Sequence, residues 1–242
     1  MPFLEGVPCS IHGMVFPAGV AAFRPVELVT LRRPSSNRLL YAGAATFWDP
    51  PDADREAMRA LARRVGEGLR DRLGYRGAFT VDGVMAAEGF VPTELNPRLG
   101  AGLSMMTGRL PGLPVALLDR ALIEGEVMAF GAGELQDQVL AAADRTRTGG
   151  AWSVTEATTE GTEELPVVFE DGTCRPAALD GPADGVLAFG PSGVGGFVRL
   201  TLAPDRIPAG PPVAPLAVAA LALADERFGT GIGPLEPARA VR

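Results

Sequence analysis

Residues 74–102 read GYRGAFTVDGVMAAEGFVPTELNPRLGAG, and the pattern of this stretch decides the fold. Phe79 to Met85 and Phe90 to Asn96 each alternate in character, and the break between them ends in Gly89. Period-two alternation on both sides of a short, glycine-bearing gap predicts a β-hairpin. Pairing Ala86 with Phe90 leaves the loop Ala87-Glu88-Gly89 and puts the glycine where a three-residue hairpin needs a left-handed residue. Asp82 then faces Glu94, and steps of two align Thr80, Asp82 and Val84 with Asn96, Glu94 and Pro92. Directly opposed side chains have Cβ atoms about 4.5–5.5 Å apart, so two carboxylates and an amide share one patch.

Opposed like charges destabilise a sheet unless something positive lies between them. A hard divalent cation suits the donor set: Mg2+ prefers oxygen, takes one or two carboxylates, and fills its other positions with water and substrate phosphates. Arg98, just beyond Asn96, adds a guanidinium fork that matches phosphate. The competing reading of the same residues is a solvated hairpin face with chance acids.

The run GYRGAFTVD at 74–82, followed by ELNPR at 94–98, resembles the metal-binding end of the ATP-grasp superfamily, in which a strand acid and a Glu-x-Asn-x-Arg signature hold Mg-ATP. The resemblance covers about residues 3–125. It implies that Asp82, Glu94 and Asn96 are metal ligands, that Glu94 bridges two metal ions of the bound Mg-ATP and so also belongs to the cofactor site, and that Arg98 touches the transferred phosphate. It also implies that MPFLEGVPCSIHG at 1–13 leaves an adenine-binding hinge, with the backbone of Phe3 and Leu4 beside the purine. Where many relatives place a hinge glutamate and a ribose-holding acid, this chain has Met1 and Pro8. The cofactors implied are ATP and Mg2+. The activity implied is ATP-dependent ligation of a carboxylate to an amine through an acyl phosphate. PFLEGVPCSIHG, FRPVE and YAGAATFWDPP look most like peptide ligases of the pheganomycin type, whose substrates are amino acids or peptides. A complete ATP-grasp enzyme has about as much protein again before this point, including a glycine-rich lid and phosphate-binding lysines. The chain therefore reads as starting at an internal methionine of a longer frame, and the alternative is a non-catalytic Mg-nucleotide-binding fragment.

Composition bounds the rest. The 242 residues are 47% hydrophobic, enough for one substantial core or two small ones. All 22 basic residues are arginine, and the formal charge of −7 argues against non-specific binding to nucleic acid or an anionic membrane. Cys9 and Cys174 are too few and too far apart for a disulfide scaffold or zinc site, and read as buried thiols in a reducing cytoplasm. No signal-peptide pattern is present, and the apolar run Ala214 to Ala224 is too short to span a bilayer. A homo-oligomer is compatible with this composition.

Along the chain, Met14 to Phe16 and Val20 to Arg32 predict a second hairpin around Pro17-Ala18-Gly19. Arg24 and Glu27 interrupt its apolar strand. As functional residues they would face the nucleotide or acceptor pocket, and Arg24 is a candidate cofactor contact; as structural ones they are an edge-strand pair facing water. The lone His12, without a nearby nucleophile or acid, reads as structural. Leu39 to Phe47 is a strand of small residues, and Asp52 or Asp54 can cap a helix from about Arg55 to Leu73, whose apolar residues recur at a 3.6-residue period. Gly100 to Gly102 reads as a flexible segment, Gly125 to Gly133 as a turn and short strand, and Leu113 to Glu124 and Glu134 to Arg145 as helices, with Arg109 near the start of the first. After residue 148 short β segments separated by Gly, Pro and Asp precede an alanine-rich helix from Pro215 to Phe228. GPSGVGG at 190–196 lacks the lysine and hydroxyl of a phosphate loop and reads as a hairpin turn. The fold class expected is α+β: the C-terminal half of an ATP-grasp fold, an antiparallel sheet flanked by helices, over residues 1–148, and a smaller α+β domain over 149–242.

Overall fold

The computed structural model describes residues 4–108, 110 and 112–238. Its elements are, in chain order, β1 (Val7–Phe16), β2 (Gly19–Arg33), β3 (Arg38–Ala45), α1 (Asp52–Leu73), β4 (Gly77–Ala86), β5 (Gly89–Asn96), α2 (Ala101–Thr107), α3 (Val115–Glu124), α4 (Ala132–Arg145), β6 (Gly150–Thr155), β7 (Glu163–Glu170), β8 (Thr173–Pro176), β9 (Gly185–Ser192), β10 (Gly195–Leu202), α5 (Ala214–Phe228) and β11 (Glu236–Pro237). Two antiparallel sheets result. The first runs β11-β2-β1-β4-β5, with β3 also on β2; the second runs β6-β10-β9-β7-β8.

The first sheet packs apolar residues on both faces, and alternation sorts them between the two. On one face Val7, Cys9, Ile11, Phe79, Val81 and Met85 pack with Met58, Ala62 and Leu69 of α1. On the other, Met14, Phe23, Val26 and Ala78 pack with Leu103 and Met106 of α2, Leu118 and Leu122 of α3, and Leu135 and Val139 of α4. Side chains as buried as Phe79 typically cost about 3–5 kcal/mol when truncated to alanine. A third cluster joins Val29, Leu31, Ala42 and Phe47 of the first sheet to the inner face of the second and to Ala217, Leu221 and Ala224 of α5. The free edge of β2 is covered too: Ala22 donates its N–H to Gln136 Oε1 at 3.2 Å and accepts from Arg59 Nε at 3.4 Å. Side-chain partners of this kind protect an open strand from pairing with another chain.

Several local expectations need correction. The hairpin of residues 77–96 has a two-residue turn, because Ala86 pairs with Gly89, which takes φ 120°. A bulge at Thr93 on β5, opposite the Asp82–Gly83 step, takes up the difference by leaving Thr93 unpaired, so Asp82 still faces Glu94 and Thr80 still faces Asn96, while Gly83 faces Pro92. The N-cap of α1 is Pro51, with no side-chain cap; Asp52 and Asp54 lie in the first turn, where they favour the helix dipole. Residues 101–107 are helical rather than flexible, held by burial of Leu103 and Met106. Residues 125–131 form no strand. The 190–196 stretch is a hairpin turn between β9 and β10, and Cys9 and Cys174 are buried free thiols. Arg109 lies outside the described residues.

Candidate functional site

On the face that α2, α3 and α4 cover only at one end, the sheet is left open as a cleft of about 450 Å3. Leu4, Pro8, Leu28 and Val84 give it an apolar floor, and Thr30, Arg32, Asp82, Thr93 and Glu236 supply polar groups. Arg32 and Glu236 form an ion pair across one wall, where β11 joins β2. Of the hinge residues expected to lie beside a purine, Leu4 lines this cleft and Phe3 lies outside the described residues.

The four polar residues of the hairpin come together as the register requires. Asp82 and Glu94 are directly opposed, and Asn96 Nδ2 donates to Asp82 Oδ2 at 2.9 Å. Thr93, displaced by the bulge, donates its hydroxyl to the Asp82 carbonyl at 3.2 Å. Half-burial, and then the Glu94 charge, push the Asp82 carboxyl above the usual carboxylate range, against the Asn96 hydrogen bond and the Arg98 charge. Glu94 is exposed and has no hydrogen-bond or ion-pair partner among the described residues. Arg98 is exposed, with its Nη1 3.4 Å from the Leu99 carbonyl.

No group of three or more His, Cys, Asp or Glu side chains converges among the described residues. A cation on this patch would be held by two carboxylates and an amide oxygen, with its remaining positions open. That all-oxygen, incomplete set fits Mg2+ carrying water and phosphate better than Zn2+ or Ca2+, which want nitrogen and sulfur or a fuller cage of protein oxygens.

Beneath the signature lies the single histidine. His12 is bonded on both ring nitrogens, to Ser10 Oγ at 3.0 Å and Thr80 Oγ1 at 2.9 Å. Burial lowers its pKa to about 4, so at neutral pH it is an uncharged spacer. A Cβ on Gly100 or Gly102 would lie 2.8 or 2.2 Å from its ring, so only glycine lets the chain after Arg98 cross so closely.

Arg24 and Glu27 neither line the cleft nor face water. Arg24 is bound by Asp49 at 2.7 Å and by Asp144, in a group that also holds Arg55 and Arg147. The Glu27 carboxylate is buried and accepts from the Val213 and Ala214 N–H groups, at 2.7 and 3.0 Å, at the start of α5. Burial pushes its pKa up to about 7 against those two bonds. Sequence reasoning missed the cleft residues Leu28, Thr30, Arg32, Thr93 and Glu236. Leu28, Thr30 and Arg32 could have been found by stepping in twos along β2; Glu236 comes from the far end of the chain and carries no local signal.

No protein-family model matches the chain, and no curated protein sequence matches it. Solved structures do. The biotin carboxylase domain of a single-chain bacterial carboxylase superposes with a TM-score of 0.50 at 15% identity, over 83% of this chain and 43% of that one. Carboxyaminoimidazole ribonucleotide synthase from Aspergillus clavatus, crystallised with ATP, gives 0.49 at 14% identity, over 85% of this chain and 48% of that one. Phosphoribosylglycinamide synthetase from Anaerococcus prevotii gives 0.45 at 14%, over 97% and 54%. The chain spans about half the length of the structures it matches. The molecule has an α+β, ATP-grasp-like fold, in which antiparallel sheets are flanked by five helices among the described residues. No helix among the described residues is long and apolar enough to cross a membrane.

Proposed function

We propose that the cleft binds a magnesium–nucleotide complex and that the chain is the metal-binding part of an ATP-dependent carboxylate-amine ligase, of the peptide-forming kind. The observation that carries this reading is the opposed Asp82–Glu94 pair, with Asn96 hydrogen-bonded beside it, where Asp82 lines the cleft next to its apolar floor. A flat heterocycle suits the Leu4, Pro8, Leu28 and Val84 floor, and a triphosphate suits the other end. The fold supports the reading, and the resemblance of residues 74–98 gives it its direction.

Each residue then has a role. Asp82, Glu94 and Asn96 would hold Mg2+, and Arg98 would bind the phosphoryl group in transfer. Bound Mg2+ neutralises phosphate charge and orients the triphosphate. Phosphoryl transfer asks the protein chiefly to position and neutralise, so no protein nucleophile is needed. In the proposed reaction a substrate carboxylate attacks the γ-phosphorus, ADP leaves, and an amine displaces phosphate from the acyl phosphate. The donor and acceptor are amino acids or small peptides.

ATP turnover with Mg2+ and a mixture of amino acids tests the chemistry. With the rest of such a ligase supplied, the expected result is amino-acid-dependent ADP release that Glu94→Gln abolishes; equal release by both proteins would remove Glu94 from the mechanism, and the chain by itself should turn over weakly or not at all. A second reading, a non-catalytic magnesium–nucleotide-binding fragment, is favoured by the chain spanning about half of the matched structures. It predicts nucleotide binding without turnover.

A further inference from the structure

The hairpin of β2 and β3 carries its charge differently from the rest of the chain. From Leu28 to Trp48 there are three arginines and no acid, in a protein of net charge −7. Arg33 and Arg38 are directly opposed in the register, an arrangement that repulsion makes unfavourable in an empty sheet. The β7–β8 hairpin meets the same need with opposite signs, placing Arg175 Nη1 3.5 Å from Glu170. At the β2–β3 tip no acid answers. Arg33 donates to the Ile232 carbonyl, and Arg38, exposed, has no hydrogen-bond or ion-pair partner among the described residues. Between them lies a cavity of about 370 Å3, lined by Arg33, Ser35, Ser36, Arg38, Leu39 and Leu40.

We infer that this tip is a second anion-binding site, for the phosphate or carboxylate group of a small molecule held by Arg33 and Arg38 with the hydroxyls of Ser35 and Ser36. Guanidinium groups present planar N–H forks to both anions, and serine hydroxyls add donors that rotate to suit either. An anion there turns the Arg33–Arg38 repulsion into two attractive contacts. Leu39 lines both this cavity and the cleft, but Arg33 and Arg38 belong to the sheet face opposite that of Thr30 and Arg32, so the tip site is separate from the cleft. The site stands independently of the nucleotide reading.

Thermal melting of the full chain in inorganic phosphate, and separately in succinate, at ionic strength matched with sodium chloride, tests the inference. A wild-type rise of about 3 °C or more is expected at an anion concentration ten times the dissociation constant. Which anion responds tells a phosphate ligand from a carboxylate one. Arg38→Gln loses the rise. Arg120→Gln, which removes the same charge from the exposed face of α3 where Glu124 pairs with it, keeps the rise. No rise with either anion, an undiminished rise in Arg38→Gln, or a loss in Arg120→Gln overturns the site.

Discussion

Two groups of charged side chains sit on the first sheet, and they are built on opposite principles. At the edge of β2, Arg24, Arg55 and Arg147 interleave with Asp49 and Asp144, at 2.7 Å from Arg24 to Asp49, 2.8 Å from Arg55 to Asp49 and 3.5 Å from Arg147 to Asp49. These contacts tie β2, the start of α1 and the end of α4 together. On the β4–β5 hairpin, Asp82 and Glu94 face each other with like charge, and the cation nearest in sequence, Arg98, is exposed. With Asp52, which pairs with Arg55 at 2.7 Å, the first group sets three guanidinium groups against three carboxylates and needs nothing further. The second is left short of positive charge at the mouth of a cleft, as a site awaiting a cationic ligand should be. Burial and pairing mark the first group as structural charge; opposition and exposure are what the proposed magnesium site asks of the second.

The largest effect should come from breaking the balanced group. Arg24→Ala removes the most buried guanidinium of the group together with its contacts to Asp49 and Asp144, while Asp49 keeps Arg55 and Arg147, and should lower the unfolding free energy by about 1.5–3 kcal/mol, read from urea denaturation. A loss below about 1 kcal/mol would dissolve the contrast. Two buried titratable groups outside both clusters should give a smaller, pH-dependent effect. Glu27 is raised from 4.5 to about 7, so its unfolded form ionises first; its contribution is full below pH 4.5 and is lost as pH rises through about 7. His12 is lowered from 6.5 to about 4, so its contribution is full above pH 6.5 and is lost as pH falls through about 4. Denaturation midpoints across pH 4 to 8 should therefore show Glu27→Gln flattening the fall on the alkaline side and His12→Asn flattening the fall on the acid side. A variant whose profile matched the wild type would clear that residue of the role. The smallest effect should have the opposite sign: Asp82→Asn relieves like-charge opposition and should raise the stability of the ligand-free chain by about 0.2–1 kcal/mol. A clear loss would place Asp82 with the structural charges.

How far the sequence revealed this contrast depended on locality. The Asp82–Glu94 opposition was legible because both acids belong to one hairpin and period two sets which residues share a face. The turn was misjudged by one residue and the bulge at Thr93 repaid it, so the functional register survived a local error. The helix of residues 101–107 was hidden because its two early glycines read as a breaker, while its stability comes from Leu103 and Met106 meeting α3 and α4. Arg24 and Glu27 were illegible for a longer-range reason. Their partners, Asp144 and the N–H groups of Val213 and Ala214, lie 120 to 187 positions away, and no spacing rule reaches that far. Glu236, on the wall of the cleft, was hidden in the same way.

Thermal melting with ADP, with and without Mg2+, tests on the chain itself whether the hairpin acids hold a magnesium–nucleotide complex. The wild type should rise in melting temperature only when both are present, and Glu94→Gln, though folded, should show no such rise. Equal magnesium-dependent rises in the two proteins would contradict it.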